Sequence, residues 1–352
     1  MSLIRKTTHG LVAFLLAISP ASGALSGEPV MTASPSPMAT TAISNAAGTA
    51  VSGKNMTTRD GWPKLLYSRE PHLHAALQKK IRDLGLARYA ADRKLAVALV
   101  DITEPRHPRV ATVNAHEMMY AASLPKIAIL LGAYQKAEDG DLKIDGPTEK
   151  LLTDMIRRSS NSAATIMLER VGFDYVADLL QSDRYDLYDT EMNGGLWVGK
   201  PYAKAGAVKR DPLYNLSHGA TPFEVARFYY LLATSRLVSP EASESMLEIL
   251  ADPAINHKFV AGLNSARPGS KIFRKSGTWR TYHADSAIVE RDGRRYIAVA
   301  MANHPSGGKW LSQLIVAMDD LVFSPENVAH DHMENHNDTV ELPNKSVAAR
   351  RS

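Results

Sequence analysis

Hydrophobic residues follow helical and continuous spacings through the middle of this 352-residue chain. One helical face is formed by four residues: Leu73, Leu77, Ile81 and Leu84. Their spacing predicts an amphipathic helix over Leu73–Leu86. The unbroken apolar run in Lys94–Asp101 predicts a buried strand, and the spacing in Lys309–Val322 predicts a closing helix.

Further helices and strands are predicted between these segments. Ile127–Lys136 is mostly apolar and rich in good helix formers, which indicates a buried helix. In Arg157–Leu168, small and apolar residues follow a polar turn and indicate another helix. Ser270–Thr278 is predicted to be a strand, and Ala284–Met301 a β-hairpin that turns at Asp292-Gly293.

The N-terminus has the three regions of a secretory signal peptide. Met1–Lys6 is basic, Leu11–Ile18 is apolar, and Pro20–Ala24 is rich in small residues. Cleavage near Ala24, which would remove residues 1–24, predicts a secreted, periplasmic protein. The apolar run is too short to span a bilayer, and a chain without cysteine has no lipid attachment site, so we expect no stable membrane anchor after cleavage.

Composition divides the rest of the chain. Residues 25–59 are mostly Ala, Ser, Thr, Pro and Gly, which cannot build a core and predict a flexible spacer. Residues 60–325 are expected to form the folded domain, because a hydrophobic content of 45% suffices for a substantial core. The charged and Asn-rich residues 326–352 predict a disordered polar tail.

Charge and residue content exclude several classes of function. A net charge of +4 is too small and too scattered for nucleic-acid binding. The absence of cysteine excludes disulfides, a thiol nucleophile and cysteine metal sites. His116-Glu-Met-Met-Tyr120 begins like a zinc-protease helix but lacks the second histidine. We therefore expect no metal and no cofactor, and we expect a monomer.

Ser123-Leu-Pro-Lys126 carries the main candidate chemistry. Residues three apart share a helix face, so the lysine amine can reach the serine hydroxyl. Burial lowers a lysine pKa and favours the neutral amine that accepts a proton, while the helix N-terminus adds positive potential. Pro125 is expected in the first helical turn, where a missing N–H costs nothing. The alternative is a capping serine beside a solvated lysine.

A second stretch, Ser306-Gly-Gly-Lys309, has the same spacing of serine and lysine. Its glycines and the preceding Pro305 predict a loop rather than a helix start. We therefore give it no catalytic role.

Two later motifs strengthen the interpretation of Ser123 and Lys126 as a nucleophile and its base. Ser159-Ser160-Asn161 precedes a predicted helix, and by itself it would indicate only a helix cap. Lys275-Ser276-Gly277-Thr278 lies in a predicted strand, and by itself it would indicate a polar edge strand.

In a substrate-binding strand, each residue of the Lys275–Thr278 motif would have a use. Gly277 lets a substrate approach the backbone closely. Lys275 and the hydroxyls of Ser276 and Thr278 can hold a substrate carboxylate. The N–H groups of Thr278 and Ser123 can form an oxyanion hole.

In this order the three motifs resemble the active-site signature of the penicillin-recognising serine acyl-transferases. The chain is similar to class A β-lactamase-like serine hydrolases over residues 65–325. The resemblance implies an α+β fold in which an antiparallel sheet is flanked by N- and C-terminal helices and an all-α sub-domain is inserted over about 123–265. It also implies an acyl-enzyme at Ser123, with Lys126 as base, Ser159 as proton relay and Asn161 as a ligand of a substrate amide.

Three departures from the family pattern limit this prediction. Ser160 stands where aspartate is common in β-lactamases. The interval from Ser123 to Ser159 is short, which widens the possible substrates to larger ones such as a peptidoglycan peptide. No glutamate stands in the loop pattern Glu-x-x-x-Asn that activates the deacylating water. The candidates are Glu191, whose spacing to asparagine is wrong, and Asp211, whose side chain is shorter; a turn residue is the alternative for both.

The sequence therefore predicts a secreted serine hydrolase acylated at Ser123, with β-lactam hydrolysis as the leading activity. One alternative is a D,D-peptidase or esterase that acts on peptidoglycan-type substrates, which the missing loop glutamate favours. The other is a non-catalytic binding protein with the same fold. A buried lysine beside a serine argues against the last, because binding alone does not require it.

Overall fold

The computed structural model describes residues 56–58, 60–203 and 208–325, which form an α+β fold. The helices in chain order are α1 (Pro71–Asp83), α2 (Ala87–Ala91), α3 (Lys126–Glu138), α4 (Gly146–Arg157), α5 (Asn161–Val171), α6 (Phe173–Gln181), α7 (Pro222–Ala233), α8 (Pro240–Leu250), α9 (Phe259–Ala266) and α10 (Gly307–Val322). The strands are β1 (Leu95–Asp101), β2 (Arg109–Val113), β3 (Met119–Tyr120), β4 (Tyr188–Asp189), β5 (Gly194–Gly195), β6 (Trp197–Val198), β7 (His218–Ala220), β8 (Lys271–Trp279), β9 (Tyr282–Arg291) and β10 (Arg294–Asn303).

Five of the strands form one antiparallel sheet in the order β2-β1-β10-β9-β8. Strands β9 and β10 are the predicted hairpin, which turns at Asp292-Gly293 as expected. Strand β8 carries the Lys275–Thr278 motif and lies at the edge of the sheet. One side of β8 is therefore left for contacts with the rest of the domain.

Strand β1 is buried on both faces of this sheet. One face packs in a cluster with α1, α9 and α10, and the other face packs against the helices that lie between β3 and β8. Successive side chains of a strand point to opposite faces, so a strand covered on both sides has a continuous apolar sequence. This explains the unbroken run in Lys94–Asp101 and confirms the predicted strand.

The region between β3 and β8 is built around α3, whose residues are buried from Lys126 to Gln135. The predicted fold class is confirmed, with terminal helices on the sheet and a mainly helical insert. The insert also contains the short sheets β3-β7-β6 and β4-β5. These strands are two or three residues long, which is too short to produce a recognisable alternation.

Helix α1 begins at Pro71, before the predicted start at Leu73, and ends earlier than predicted. It ends at Asp83 rather than Leu86, because Gly85 adopts the left-handed conformation (φ 71°) that ends many helices. Its buried residues are Leu73, Leu77 and Ile81, as the spacing predicts.

The Ser306-Gly-Gly-Lys309 stretch is a helix start, so the predicted loop is wrong. Ser306 is the N-cap residue of α10. A Cβ atom on Gly307 would lie 2.7 Å from Cδ2 of His283, so the glycine lets the helix end pack closely on β9. Lys309 is exposed and lacks the burial that a neutral lysine base requires.

The terminal predictions concern other parts of the chain. The signal peptide (1–24), the tail (326–352) and the spacer (25–59), apart from residues 56–58, lie outside the described residues. Thr58 already contacts the domain, since its N–H donates to the Trp62 carbonyl at 2.7 Å. Among the described residues, every helix is too short or too polar to span a bilayer.

A buried ion pair ties β8 to β9 and to the start of α9. Nε of Arg274 lies 2.7 Å from Oδ1 of Asp285, and both residues are almost fully buried. Asp285 also accepts the N–H of Phe259, while Arg274 donates to the carbonyls of Ile255 and His257. This pair fixes the strand residue that precedes Lys275.

Loss of this ion pair is expected to destabilise the fold. Asp285→Asn leaves the Arg274 guanidinium buried without a counter-charge, which costs about 3–5 kcal/mol. Asp83→Asn is the matched control, because it removes only an exposed pair with Lys79, which solvent screens and which adds little to stability. Urea unfolding measures both free energies, and equal stability of the two variants would contradict the role of the buried pair.

Candidate active site

Ser123 lies in the turn between β3 and α3, at the N-terminus of a buried helix. The preceding Ala122 is left-handed (φ 51°), a conformation that costs a non-glycine residue about 1–3 kcal/mol. The N–H of Lys126 donates to the Ser123 carbonyl at 3.3 Å and closes the turn. Pro125 is the N-cap of α3 and so lies one position before the expected first turn.

Lys126 is fully buried in the helical region, with 0% of its surface exposed. Its Nζ donates to the Ser159 carbonyl at 2.7 Å and to Oδ1 of Asn161 at 2.8 Å. Burial lowers the pKa of Lys126 from 10.5 to about 7. Near neutral pH a large share of this amine is therefore unprotonated and able to accept a proton.

Ser159 lies between α4 and α5 and contacts both lysines of the site. Its Oγ accepts a hydrogen bond from Nζ of Lys275 at 2.9 Å and lies 3.4 Å from Nζ of Lys126. Ser159 is left-handed (φ 56°), whereas Ser160 takes the capping role and accepts the N–H of Ala163. The cap and the candidate relay are therefore two different serines of the same triplet.

Lys275 projects from β8 into the same cluster and is only 1% exposed. Its Nζ also donates to the Ser276 carbonyl at 2.8 Å. Burial, and then the charge of Lys126, lower the pKa of Lys275 well below its usual range. A side chain this deeply buried does not fit the alternative of a solubilising edge strand.

Gly277 brings β8 against the turn that bears the nucleophile. A Cβ atom on Gly277 would lie 2.0 Å from the Ala121 carbonyl oxygen and 2.9 Å from the Ser123 nitrogen. Any side chain there would collide with main-chain atoms, so the position requires glycine. The contact brings the backbone of the Lys275–Thr278 motif alongside that of Ser123.

Lys258 belongs to the site but was not predicted. It is left-handed (φ 52°), only 3% exposed, and lies just before α9. Its Nζ donates to the carbonyls of Gly277 and Ala284 and to Oγ1 of Thr278 at 2.8 Å. These three bonds use all three ammonium protons, so Lys258 fixes the end of the motif and leaves the proton of the Thr278 hydroxyl free for a substrate.

Tyr202 was also missed, and it contacts the base directly. Nζ of Lys126 lies 4.6 Å from the centre of the Tyr202 ring, and the phenol donates to the Ala122 carbonyl at 3.3 Å. His218 packs on the other part of this ring at 4.2 Å between centres. Neither residue belongs to a periodic pattern or a recognisable motif, so the sequence contains no signal for this contact.

Neither candidate acid, Asp211 or Glu191, makes a hydrogen bond or ion pair with the cluster of serines and lysines, which consists of Lys126, Ser159 and Lys275. Both carboxylate oxygens of Asp211 are occupied, since Oδ1 accepts the Tyr188 hydroxyl and two N–H groups and Oδ2 accepts the N–H of Leu216. Glu191 is exposed. For Asp211 this geometry favours the alternative of a turn residue.

The fold is the one that the sequence predicts for a β-lactamase-like protein. A family model described as the β-lactamase enzyme family matches residues 76–149 and 145–322. These matches span more than half of the chain, which therefore belongs to the β-lactamase enzyme family.

Several solved structures share the fold at low sequence identity. A β-lactamase of Sphaerobacter thermophilus DSM 20745 is 17% identical with a TM-score of 0.54, over 70% of this chain and 94% of that one. PBP-A is 17% identical with a TM-score of 0.53, over 75% and 97%. A β-lactamase of Chitinophaga pinensis DSM 2588 is 14% identical with a TM-score of 0.54, over 71% and 100%. No curated protein sequence is significantly similar to the chain.

Gly277→Ala is expected to destabilise the protein, because the added methyl group meets main-chain atoms that cannot move aside. Overpacking of this kind costs about 1–3 kcal/mol. Gly146→Ala is the matched control, since nothing lies within 4 Å of its added Cβ and its φ is not positive. Thermal unfolding compares the two variants, and a Gly277→Ala protein as stable as the control would refute the close approach.

Proposed function

We propose that this protein is a secreted serine hydrolase that forms an acyl-enzyme at Ser123, with β-lactam hydrolysis as its activity. One observation carries the proposal. Beside the turn that bears Ser123, a single hydroxyl, Oγ of Ser159, lies within hydrogen-bonding reach of both Lys126 and Lys275. A substrate-binding lysine, a relay and a base thus form one connected group. Membership of the β-lactamase enzyme family supports the reaction type.

The acylation step follows from this group. Neutral Lys126 takes the proton of the Ser123 hydroxyl as its oxygen attacks the carbonyl carbon of a cyclic amide. The bond from that carbon to nitrogen then breaks, and Ser159 passes a proton to the leaving nitrogen while it regains one from Lys126. The products are an ester on Ser123 and an opened ring with an N–H group.

Substrate contacts are assigned to residues that keep a free donor. The Asn161 amide uses its oxygen on Lys126, which leaves its NH₂ group for a substrate carbonyl. The hydroxyls of Ser276 and Thr278 hold a substrate carboxylate, whose negative charge favours the protonated, charged form of the neighbouring Lys275. The N–H groups of Ser123 and Thr278 form the oxyanion hole, at the positive end of α3.

A D,D-peptidase or esterase acting on peptidoglycan-type substrates is the second candidate. One observation favours it. Within the described residues, Lys126 contacts Ser159, Asn161 and the ring of Tyr202, and none of these groups is a carboxylate. Of the two acids considered for deacylation, Asp211 is occupied by other donors and Glu191 is exposed. A solved neighbour, a mutant of PBP-A, is described as an acyl-enzyme complex with penicillin G.

A chromogenic cephalosporin and a fluorescent penicillin distinguish these functions. Sustained colour with purified protein supports a β-lactamase, and a stable label without turnover supports a peptidase-like acyl-enzyme. Ser123→Ala is expected to lose both signals, because its side chain has no nucleophilic oxygen. Equal labelling of Ser123→Ala would refute the assigned nucleophile, and the absence of both signals in the native protein would leave an esterase or a non-catalytic binding protein.

Acylation is expected to increase with pH through a midpoint of about 7. Burial lowers the pKa of Lys126 to about 7, so the neutral base is the minor form below that pH and the major form above it. At pH 6 the rate of labelling should be about tenfold below its plateau. A stopped-flow series with the fluorescent penicillin measures the profile, and a rate that does not change between about pH 5.5 and 8.5 would contradict Lys126 as the base.

The secreted, periplasmic location and the monomeric state remain proposals from the sequence. The signal-like pattern of residues 1–24 supports export. Expression of the whole chain with separation of cell fractions tests it, and a protein retained with its N-terminus intact would exclude cleavage near Ala24.

A further inference from the structure

One aromatic side chain contacts both the strained turn and the base. The hydroxyl of Tyr202 donates to the Ala122 carbonyl at 3.3 Å, and its ring covers Nζ of Lys126 at 4.6 Å. Ala122 is the residue directly before the nucleophile. A single side chain thus joins the two groups whose relative position decides whether Ser123 can lose its proton.

The contact with Ala122 acts on a backbone that needs support. A left-handed alanine is unfavourable by about 1–3 kcal/mol unless its surroundings hold it. Gly277 packs against one side of the turn, through Ala121 and Ser123. Tyr202 holds the Ala122 carbonyl itself. Burial raises the pKa of Tyr202 well above its usual range, so the phenol keeps its proton and remains a donor.

The ring of Tyr202 places no net charge beside Lys126. An aromatic face attracts a cation by about 0.5–2 kcal/mol but carries no net charge, whereas a carboxylate would favour the charged ammonium strongly and raise its pKa. The other groups that face the amine are Ser159, Asn161, Lys275 from β8 and His218 from β7. None of them is an acid, and burial lowers the pKa of His218 to about 4, so it is neutral.

Tyr202 is itself held firmly in this position. Its N–H donates to Oγ1 of Thr165 at 3.0 Å, and the N–H of Ala203 donates to the same oxygen at 2.9 Å. The ring packs on His218, whose Nε2 lies 3.1 Å from the Lys200 carbonyl. Contacts from α5 and β7 therefore orient a residue that belongs to a connecting segment.

We propose that Tyr202 is a positioning residue, which clamps the Ala122–Ser123 turn with its hydroxyl and covers the Lys126 amine with its ring so that the base has no carboxylate partner. The inference rests on the proposed acylation of Ser123. It deepens that proposal by assigning the geometry and the protonation of the nucleophile and base pair to a residue outside the three motifs.

Two substitutions separate the two roles. Tyr202→Phe removes only the hydroxyl, so it tests the clamp. Tyr202→Ala also removes the ring and admits water to the amine. Tyr230→Phe is the matched control, because the Tyr230 hydroxyl likewise donates to a main-chain oxygen, that of Pro105 at 2.8 Å, outside the cluster of serines and lysines. Urea unfolding verifies that each variant is folded.

The first readout is the rate of labelling by the fluorescent penicillin as a function of pH. Tyr202→Phe should label about three- to tenfold more slowly, the loss expected for one hydrogen bond, with its pH midpoint unchanged. The Tyr230→Phe control should label at the native rate. A Tyr202→Phe protein that also labels at the native rate would overturn the clamp, and one that merely unfolds more easily would have an altered denaturation midpoint without an altered rate.

The second readout does not depend on activity. NMR titration of the lysine amines, with the Lys126 signal assigned through Lys126→Arg, measures protonation of the base directly. The midpoint should lie near 7 in the native protein and in Tyr202→Phe, and should increase by at least about half a unit in Tyr202→Ala, because solvation stabilises the ammonium. An unchanged titration in Tyr202→Ala would overturn the role of the ring. If the native protein is not labelled but the titration changes as expected, the proposed function fails and the role of the ring stands.

Discussion

The burial of two lysine amines around one serine hydroxyl is the constraint on which the rest of the site depends. Lys126 and Lys275 both reach Oγ of Ser159, and neither forms an ion pair with a described carboxylate. Removing an ammonium from water is unfavourable, so such a group loses its proton instead. Burial therefore leaves part of the Lys126 amine neutral, and able to accept a proton, near neutral pH. The fold must therefore hold these side chains in place without the attraction of an opposite charge.

Packing and strained backbone, rather than ion pairs, hold Lys126 and Lys275 in place. Three non-glycine residues at the site are left-handed: Ala122, Ser159 and Lys258. Such conformations persist only where the surroundings determine them, and they cluster at functional sites. The Arg274–Asp285 pair anchors β8 immediately before Lys275, and Gly277 lets the same strand touch the Ser123 turn. Edge strand, helix start and inter-helix turn are thus fixed against each other at one point.

The sequence predicts those features that depend on local pattern. The apolar run after Ser123 predicts the buried helix that desolvates Lys126, and the hairpin follows from Asp292-Gly293 between apolar strands. It does not predict Lys258, whose acceptors lie about twenty residues away and whose left-handed conformation has no sequence signal. It misjudges Ser306, because a glycine selected for close packing against His283 has the same appearance as a loop glycine. The sequence does not predict the role of Tyr202 either, because its contacts with Ala122 and Lys126 join segments that are distant in the chain.

The character of the base separates the two halves of the proposed catalytic cycle. Acylation needs a neutral amine beside the serine. A ring over Lys126 preserves that neutral amine, whereas a carboxylate would stabilise the protonated form. Hydrolysis of the ester needs a group that holds and activates water, and an aromatic face offers no hydrogen-bond acceptor comparable to a carboxylate. The same contact therefore favours the first step and provides nothing for the second.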